Sequence, residues 1–558
     1  MIFMKSRIFF FFSVILFFYG CSASQKIVKP TPAQPVDSVD FATMLEPPED
    51  WHLLDEDFTQ FRGISSELAY ENVLDKRSPE QEVVVAVIDG GVDIGHEDLK
   101  ENIWVNEDEI PGNGKDDDEN GYVDDVHGWN FIGGPDGENV DHDTFELTRI
   151  YARLHPKYSD TDTTVLNARE RKKYRYYREI AESYRYEIEK LLNQYDNIQS
   201  LEQNMSQADN ILTRHFDGEY NYEDVQGMQP RDQQTYFAKN VMNYVMENDI
   251  DSTLIADQKK QIYHFAKYGY NPDFSPRHIV GDNYEDKSER YYGNNDVGGP
   301  DPTHGTHVAG IIGAIRSNSV GVNGIASDVR LMAVRAVPDG DERDKDVANA
   351  IRYAVDNGAD IINMSFGKSH SPHKEVVDQA VRYADENGVL MIHAAGNSSE
   401  NSDRNVSYPT DVLGTEGNGN KETAGLWLTV GASSWKPNEE FVGEFSNYGD
   451  QTVDLFAPGV DIYSTMPDNK YERQQGTSMA APVVSGAAAL LMSYYPDLSP
   501  AQIRDAVLQS VTTYPDQMVT LPHKANAEPK SVSFSELSAS DGVLNVFRAL
   551  QTAQEMSR

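Results

Sequence analysis

Hydrophobic positions along this chain follow three rhythms. The first is the continuous run Val83-Val84-Val85-Ala86-Val87-Ile88 ahead of Asp89, with Leu390-Met391-Ile392-His393-Ala394 as a second instance. Unbroken apolar, β-branched runs of this length predict strands covered on both faces, as in a parallel sheet. The second rhythm is small and apolar: Val308, Ala309, Ile311, Ile312 and Ala314 after His304, and 480–491 after Ser478, predict buried helices that pack closely. The third is amphipathic. Tyr174, Tyr177, Ile180, Ala181, Tyr184, Ile188, Leu191, Leu192 and Tyr195 recur every three or four residues between Arg, Lys and Glu, predicting a helix with a tyrosine-rich face. Similar spacing predicts helices over Thr235 to Met246, Gln258 to Tyr268 and, near the end, Val543 to Leu550. Strands alternating with buried helices predict an α/β fold with a mostly parallel central sheet, and the amphipathic stretches a separate helical bundle.

Three short motifs sit where these buried elements begin or end. Asp89 closes the first strand in Val87-Ile88-Asp89-Gly90-Gly91-Val92, His304 opens a helix in His304-Gly305-Thr306-His307, and Ser478 opens another in Gly476-Thr477-Ser478-Met479. A serine hydroxyl becomes an effective nucleophile when an imidazole takes its proton, and a buried carboxylate fixes the tautomer of that imidazole. The strand end places Asp89 where open α/β sheets gather their ligands, and the helix start near Ser478 aims a positive dipole end at a developing oxyanion. A fourth residue, Asn397, follows a strand in Ala395-Gly396-Asn397 and offers an amide hydrogen to that oxyanion. Alone, it would read as a residue tolerating a left-handed turn. His307, three residues after His304, could pair with it at a metal, but no zincin-type Glu separates them. It reads as a hydrogen-bonded core residue.

With these residues the chain resembles the subtilisin family: Asp89, His304 and Ser478 match its triad in order, and Asn397 its oxyanion asparagine. The resemblance is close over roughly residues 80 to 100 and 300 to 515. It implies a three-layer fold and serine endopeptidase activity on polypeptides. It also implies a cleft in which Ser365-Phe366-Gly367 and Ala395-Gly396 pair their backbone with an extended peptide. One departure is Gly90, where the family usually carries Ser or Thr; the missing hydroxyl beside Asp89 is expected to move the pH optimum.

Length changes the picture. At 558 residues the chain exceeds a single-domain range, and 215 positions separate Asp89 from His304 where the family usually has a few tens. The expected division is a catalytic domain over 49–144 and 276–558, interrupted by a helical insertion over 145–275. That bundle either only packs on the core or gates the cleft.

Upstream of it, Asp116, Asp118 and Asn120 alternate ahead of Gly121, a spacing that brings hard oxygen ligands to one cation. His127 stands where an EF-hand would end in Glu, so Asp124 or Asp125 would complete the coordination. Clustered carboxylates repel unless a cation intervenes, and a structural calcium ion is expected. The family resemblance implies a second, weaker site joining Asp98 to the loop Asn318-Ser319-Val320-Gly321-Val322.

At the N-terminus Lys5 and Arg7 precede an apolar run, 8–19, of signal-peptide length, and Gly20-Cys21 ends it. This resembles the bacterial lipobox, with Cys21 as the lipidated residue of a membrane-anchored lipoprotein. The bulk of Phe18 and Tyr19 leaves cleavage by an ordinary signal peptidase, and secretion, as the alternative. Either route exports residues 22 onward, and the single cysteine excludes an internal disulfide. Residues 22–48 are Ser-, Pro- and Ala-rich and read as a tether. The stretch from Cys21 to the Asp89 strand is short for a folded propeptide, so none is expected. A net charge of -42 argues against nucleic acid as a partner, and a monomer is expected.

Two other classes compete with an active endopeptidase. One is a peptide-binding lipoprotein whose insertion closes the cleft, and the other a narrow processing enzyme whose insertion filters substrates.

Overall fold

In the computed structural model, which describes residues 29–31, 38–414, 422–524 and 527–558, the run around Val85 becomes the strand Val83–Asp89. It pairs in parallel with Val329–Arg335 on one edge and Ile361–Met364 on the other. Its side chains alternate between two helix layers, as a strand's period of two requires. Val83, Val85 and Val87 pack with Val308, Ala309, Ile312 and Ala487 in one core. Ala86 and Ile88 pack with Ala350, Ile351, Ala380 and Ala384 in the other. Both faces being apolar is why the run is unbroken.

The sheet has nine strands, in the spatial order Gly128–Asn130, Val329–Arg335, Val83–Asp89, Ile361–Met364, Leu390–Ala394, Trp427–Ser433, Leu455–Pro458, Gly542–Val543 and Thr512–Thr513. All neighbouring pairs are parallel except the last. The helices Thr303–Gly313 and Thr477–Tyr494 lie on one face, Asp344–Asp356 and Lys374–Glu386 on the other. Thr477–Tyr494 is long and apolar enough to cross a membrane, but 94% of it is buried inside the protein, so it is the central core helix. The final helix is Val546–Met556, starting later than the apolar pattern indicates, because Val543 belongs to a strand paired with Phe456 and Thr512.

Between Gly128–Asn130 and Thr303–Gly313 the chain forms Glu146–Tyr158, Ala168–His215, Tyr222–Gly227, Gln233–Glu247, Ser252–His264 and Arg277–Val280. The tyrosine-rich stretch is thus the start of a 48-residue helix, capped by a reciprocal pair of hydrogen bonds between Asn167 and Glu170. Its second half buries only Ala208 and Leu212, so its apolar periodicity fades although the helix continues. Ala208 and Leu212 form a small satellite core with Val225, Met228, Ala238, Met242 and Val245. The signal-like run, Cys21 and residues 22–28 and 32–37 of the tether lie outside the described residues.

Candidate active site

Asp89 ends its strand at 2% exposure, and the Gly90 N–H donates to its Oδ1 at 2.7 Å. A Cβ on residue 90 would meet the Val337 carbonyl at 3.3 Å, a tight but not forbidding fit. His304 is the second residue of Thr303–Gly313, and its neighbour Gly305 is what lets that helix reach the strand end. A Cβ there would lie 2.2 Å from the Gly91 carbonyl and 3.1 Å from the Asp89 Cβ. The result is Nδ1 of His304 at 2.8 and 2.9 Å from the two Asp89 carboxylate oxygens. Nδ1–H therefore donates, and the Nε2 lone pair is left to accept a proton. Desolvation works against the imidazolium, but the charge and hydrogen bond of Asp89 outweigh it, and the His304 pKa is raised above its usual 6.5. Its side chain remains 41% exposed, open to a substrate.

Ser478 is the second residue of Thr477–Tyr494. Its hydroxyl donates to the Ser365 carbonyl at 3.1 Å, and the Ser365 hydroxyl donates to the Ser478 carbonyl at 2.9 Å. Behind them the Asn363 amide donates to Ser365 Oγ at 3.0 Å, and Ser485 donates to Asn363 Oδ1 at 2.8 Å. This polar chain through the apolar layer, with Asn363, Ser365 and Ser485 all buried, joins the nucleophile's helix to the neighbouring strand. Sequence reasoning missed Asn363 and Ser485; the only signal was a polar residue inside each of two apolar runs.

Asn397 is tied by its carbonyl, which accepts from the Thr477 N–H and hydroxyl, both at 2.9 Å. Thr477 Oγ1 in turn accepts from the Gly396 N–H at 3.0 Å. With Oδ1 so engaged, the Asn397 NH2 group is the side-chain donor available beside the start of the Ser478 helix.

The predicted cleft walls follow two adjacent strands. The Phe366 carbonyl accepts from His393 Nε2 at 2.9 Å, and burial pushes the His393 pKa down to about 4, so its ring is neutral. Ala395 and Gly396 give their carbonyls to the side chain and backbone N–H of Asn447 at 2.9 and 2.8 Å. Gly367 fits where a Cβ would lie 2.7 Å from Ser407 Oγ. His307 donates from Nε2 to the carbonyls of Ile462 and Glu472 at 3.0 and 3.2 Å, fully buried, and desolvation holds its pKa near 4.

Gly367 also lines a cavity of about 600 Å³, together with Asp341, Lys368 and the insertion residues Phe145, Glu182, Tyr186 and Tyr270. Beneath it lies a buried charge cluster. Lys368 Nζ meets Asp344 at 2.8 Å, Glu146 at 3.2 Å and the Glu342 carbonyl at 2.7 Å. Arg149 bonds Glu146 at 2.7 Å and the carbonyls of Asp341 and Glu342 at 3.1 Å. Burial would raise the Glu146 carboxyl, but Arg149 and Lys368 overturn that and hold it at about 2. Glu342 goes the other way: burial outweighs Lys368 and lifts it to about 8, and its Oε1 is buried without a partner. None of these residues stood out in the sequence.

The acidic loop groups differently from its sequence spacing. Carboxylate oxygens of Glu109, Asp118 and Asp125 lie within 4.8 Å of one another. Asn120 donates to Asp118 and Asp125 at 3.0 and 3.1 Å. Asp116 instead accepts the Asn120 and Gly121 N–H groups, and Asp124 those of Asn113 and Gly114, so these two shape the loop. Glu109, seven residues ahead of Asp116, was missed. Its Oε2 is buried with no partner, and burial raises the Asp125 carboxyl, with Asp118 adding to the rise. An oxygen-only donor set with an unmet buried oxygen fits a calcium ion. Asp98 does reach the Asn318–Val322 loop, where Asn318 Nδ2 and the Val322 N–H, the latter at 3.0 Å, donate to its carboxylate.

A family model described as "Subtilase family" matches residues 80–524. The chain is 36% identical over 217 residues to Subtilisin DY of Bacillus licheniformis, covering 38% of this chain and 72% of that protein. It is 39% identical over 216 residues to Subtilisin of Bacillus pumilus, covering 38% and 70%. A solved protease from Pseudoalteromonas arctica is 25% identical over 47% of this chain and 78% of its own, with a TM-score of 0.37.

Proposed function

The chain belongs to the subtilase family and is a subtilisin-like serine peptidase, and on that premise we propose that it is an exported, calcium-supported endopeptidase held at the cell envelope through Cys21. The observation that carries the catalytic reading is the double contact of His304 Nδ1 with Asp89 at 2.8 and 2.9 Å.

It orients a ring whose Nε2 accepts the Ser478 proton as Oγ attacks the substrate carbonyl. The Ser478 hydroxyl first leaves the Ser365 carbonyl, a side-chain rotation that substrate binding drives. The oxyanion is then held by the Asn397 NH2 group and the Ser478 N–H at the helix start, a preorganised pair in a site whose donors need not reorient. His304, now an imidazolium stabilised by Asp89, returns its proton to the leaving amine. Water then releases the acyl group by the same route in reverse.

Glu109, Asp118 and Asp125, with Asn120 beside them, would hold the calcium ion, which would supply charge neutralisation to the loop. The signal-like segment and the Gly20-Cys21 junction support export and lipidation. The cavity lined by Glu182, Tyr186 and Tyr270 supports a selective enzyme over a broad one, because the insertion lines it together with Gly367.

The test is fluorophosphonate labelling of the purified protein, with Ser478→Ala as control, in calcium or in EDTA. Labelling confined to the wild type is expected, with a lower melting temperature in EDTA that Asp125→Asn no longer shows. No labelling in either buffer would favour a peptide-binding protein with a closed cleft.

A further inference from the structure

On the insertion's other seam, away from the acidic loop, two histidines and an aspartate converge from three separate segments. His142 precedes the insertion, His264 is the last residue of Ser252–His264, and Asp339 lies in the loop after the Val329–Arg335 strand. One ligand atom from each lies within 4.8 Å of the others.

His142 carries the argument further. Its Nδ1 is 2.8 Å from Asp339 Oδ2, and its Nε2 is 3.4 Å from Asp141 Oδ2. A neutral imidazole has one N–H and can donate to only one of these carboxylates. The other nitrogen then sets a lone pair against a carboxylate unless the ring takes up a second proton or a metal cation stands between them. The ring is held in place from both sides: Tyr268 stacks on it with centroids 4.1 Å apart, and His264 meets it edge-on at 5.1 Å. Access is open, since Asp339 and Asp141 are 57% and 50% exposed.

We propose that His142, His264 and Asp339, with Asp141 beside them, form a binding site for a zinc-type divalent cation that clasps the Ser252–His264 helix to the edge of the cleft. Two imidazole nitrogens and carboxylate oxygens are the donor set of a borderline ion, whereas calcium and magnesium favour oxygen alone. Ligands about 2.0 to 2.2 Å from a tetrahedral ion are closer together than 4.8 Å, so small side-chain rotations complete the site. The clasp bears on the cleft because Asp339 is two residues from Asp341, which lines the cavity opposite Glu182 and Tyr186. A bound ion would tie the Ser252–His264 helix to the segment that leads into Asp341.

The test uses full-length protein carrying Ser478→Ala, which prevents autolysis, kept in excess calcium so that the oxygen-only site is filled. Zinc is titrated against a chromophoric chelator, and cobalt is followed by its visible absorption. One tight equivalent is expected. His264→Ala and His142→Ala should each weaken it by at least about tenfold, as losing even an outer-shell partner of a metal does, and should remove the cobalt band. Asp339→Asn, an exposed change that spares the fold, should weaken binding in the same direction. Zinc should also slow amide exchange across Ser252–His264. Equal zinc affinity in wild type and His264→Ala would overturn the site. Tight binding without slower exchange in that helix would overturn the clasp.

Discussion

The two walls of the cleft rest on different physics. The wall that bears Asp89, Asn397 and Ser478 grows from strand ends and helix starts sunk in apolar cores, where Val87, Ile88, Ala480 and Ala481 are at most 1% exposed. The insertion lines the cavity beside Gly367; its satellite core is small, and its attachment there runs through Arg149, Lys368 and Glu146, with Asp143 3.6 Å from Arg149. Close packing fixes atoms to tenths of an ångström and tolerates little change. Charge pairs hold orientation but respond to pH and to the loss of one partner. The candidate catalytic residues therefore sit on the unresponsive wall, and the proposed selectivity on the responsive one.

The sharpest break of this contrast is Asp89→Asn, which should leave stability nearly unchanged and lower kcat by about four orders of magnitude, the cost of the wrong imidazole tautomer. The acid limb of kcat/KM should move to lower pH, because the carboxylate that raises His304 is gone; a pH–rate profile on a peptide substrate reads both. On the other wall Arg149→Met leaves Glu146 with Lys368 as its remaining cation and should cost about 3 kcal/mol in stability, measured by denaturant unfolding, while fluorophosphonate labelling of the folded protein persists. Leu212→Ala, in the satellite core, should cost about 2–4 kcal/mol locally. Hydrogen exchange should rise in Gln233–Glu247 and stay unchanged in Thr477–Tyr494, and equal effects on both would dissolve the distinction between the two walls.

A pH-dependent contrast belongs to Glu342→Gln. A carboxyl raised to about 8 is protonated in the folded state where the unfolded chain is ionised. It therefore contributes stability below its unfolded pKa that is lost as pH rises toward 8. The melting temperature of the wild type should fall more steeply than that of the variant between about pH 5 and 8.

The catalytic wall was legible because long apolar runs announce themselves: Val83 to Ile88 and Ala480 to Leu491 each carry a period or composition that survives without the rest of the fold. The insertion was legible only where apolar residues repeat. Ala168–His215 outlasts its pattern because its mostly exposed second half buries only Ala208 and Leu212, and Glu146–Tyr158 contains Pro156, which reads as a stop. The charge cluster had no local signature at all, since Lys368 and Glu146 are 222 positions apart and neither belongs to a motif. Glu109 escaped for a smaller reason: it lies outside the alternating loop whose carboxylates Asp118 and Asp125 it approaches.

The 48-residue helix Ala168–His215 has a mechanical consequence. It lines the cleft at Glu182 and Tyr186 and is gripped at Leu212 by the satellite core, so about 40 Å of rod separates the two. A rod of that length trades angle for distance: a tilt of about five degrees at the satellite core swings the cleft end by about 3 Å. Tyr177, Ile180 and Leu191, buried in its first half, are what would have to yield for a tilt at the outer bundle to reach the cavity beside Gly367.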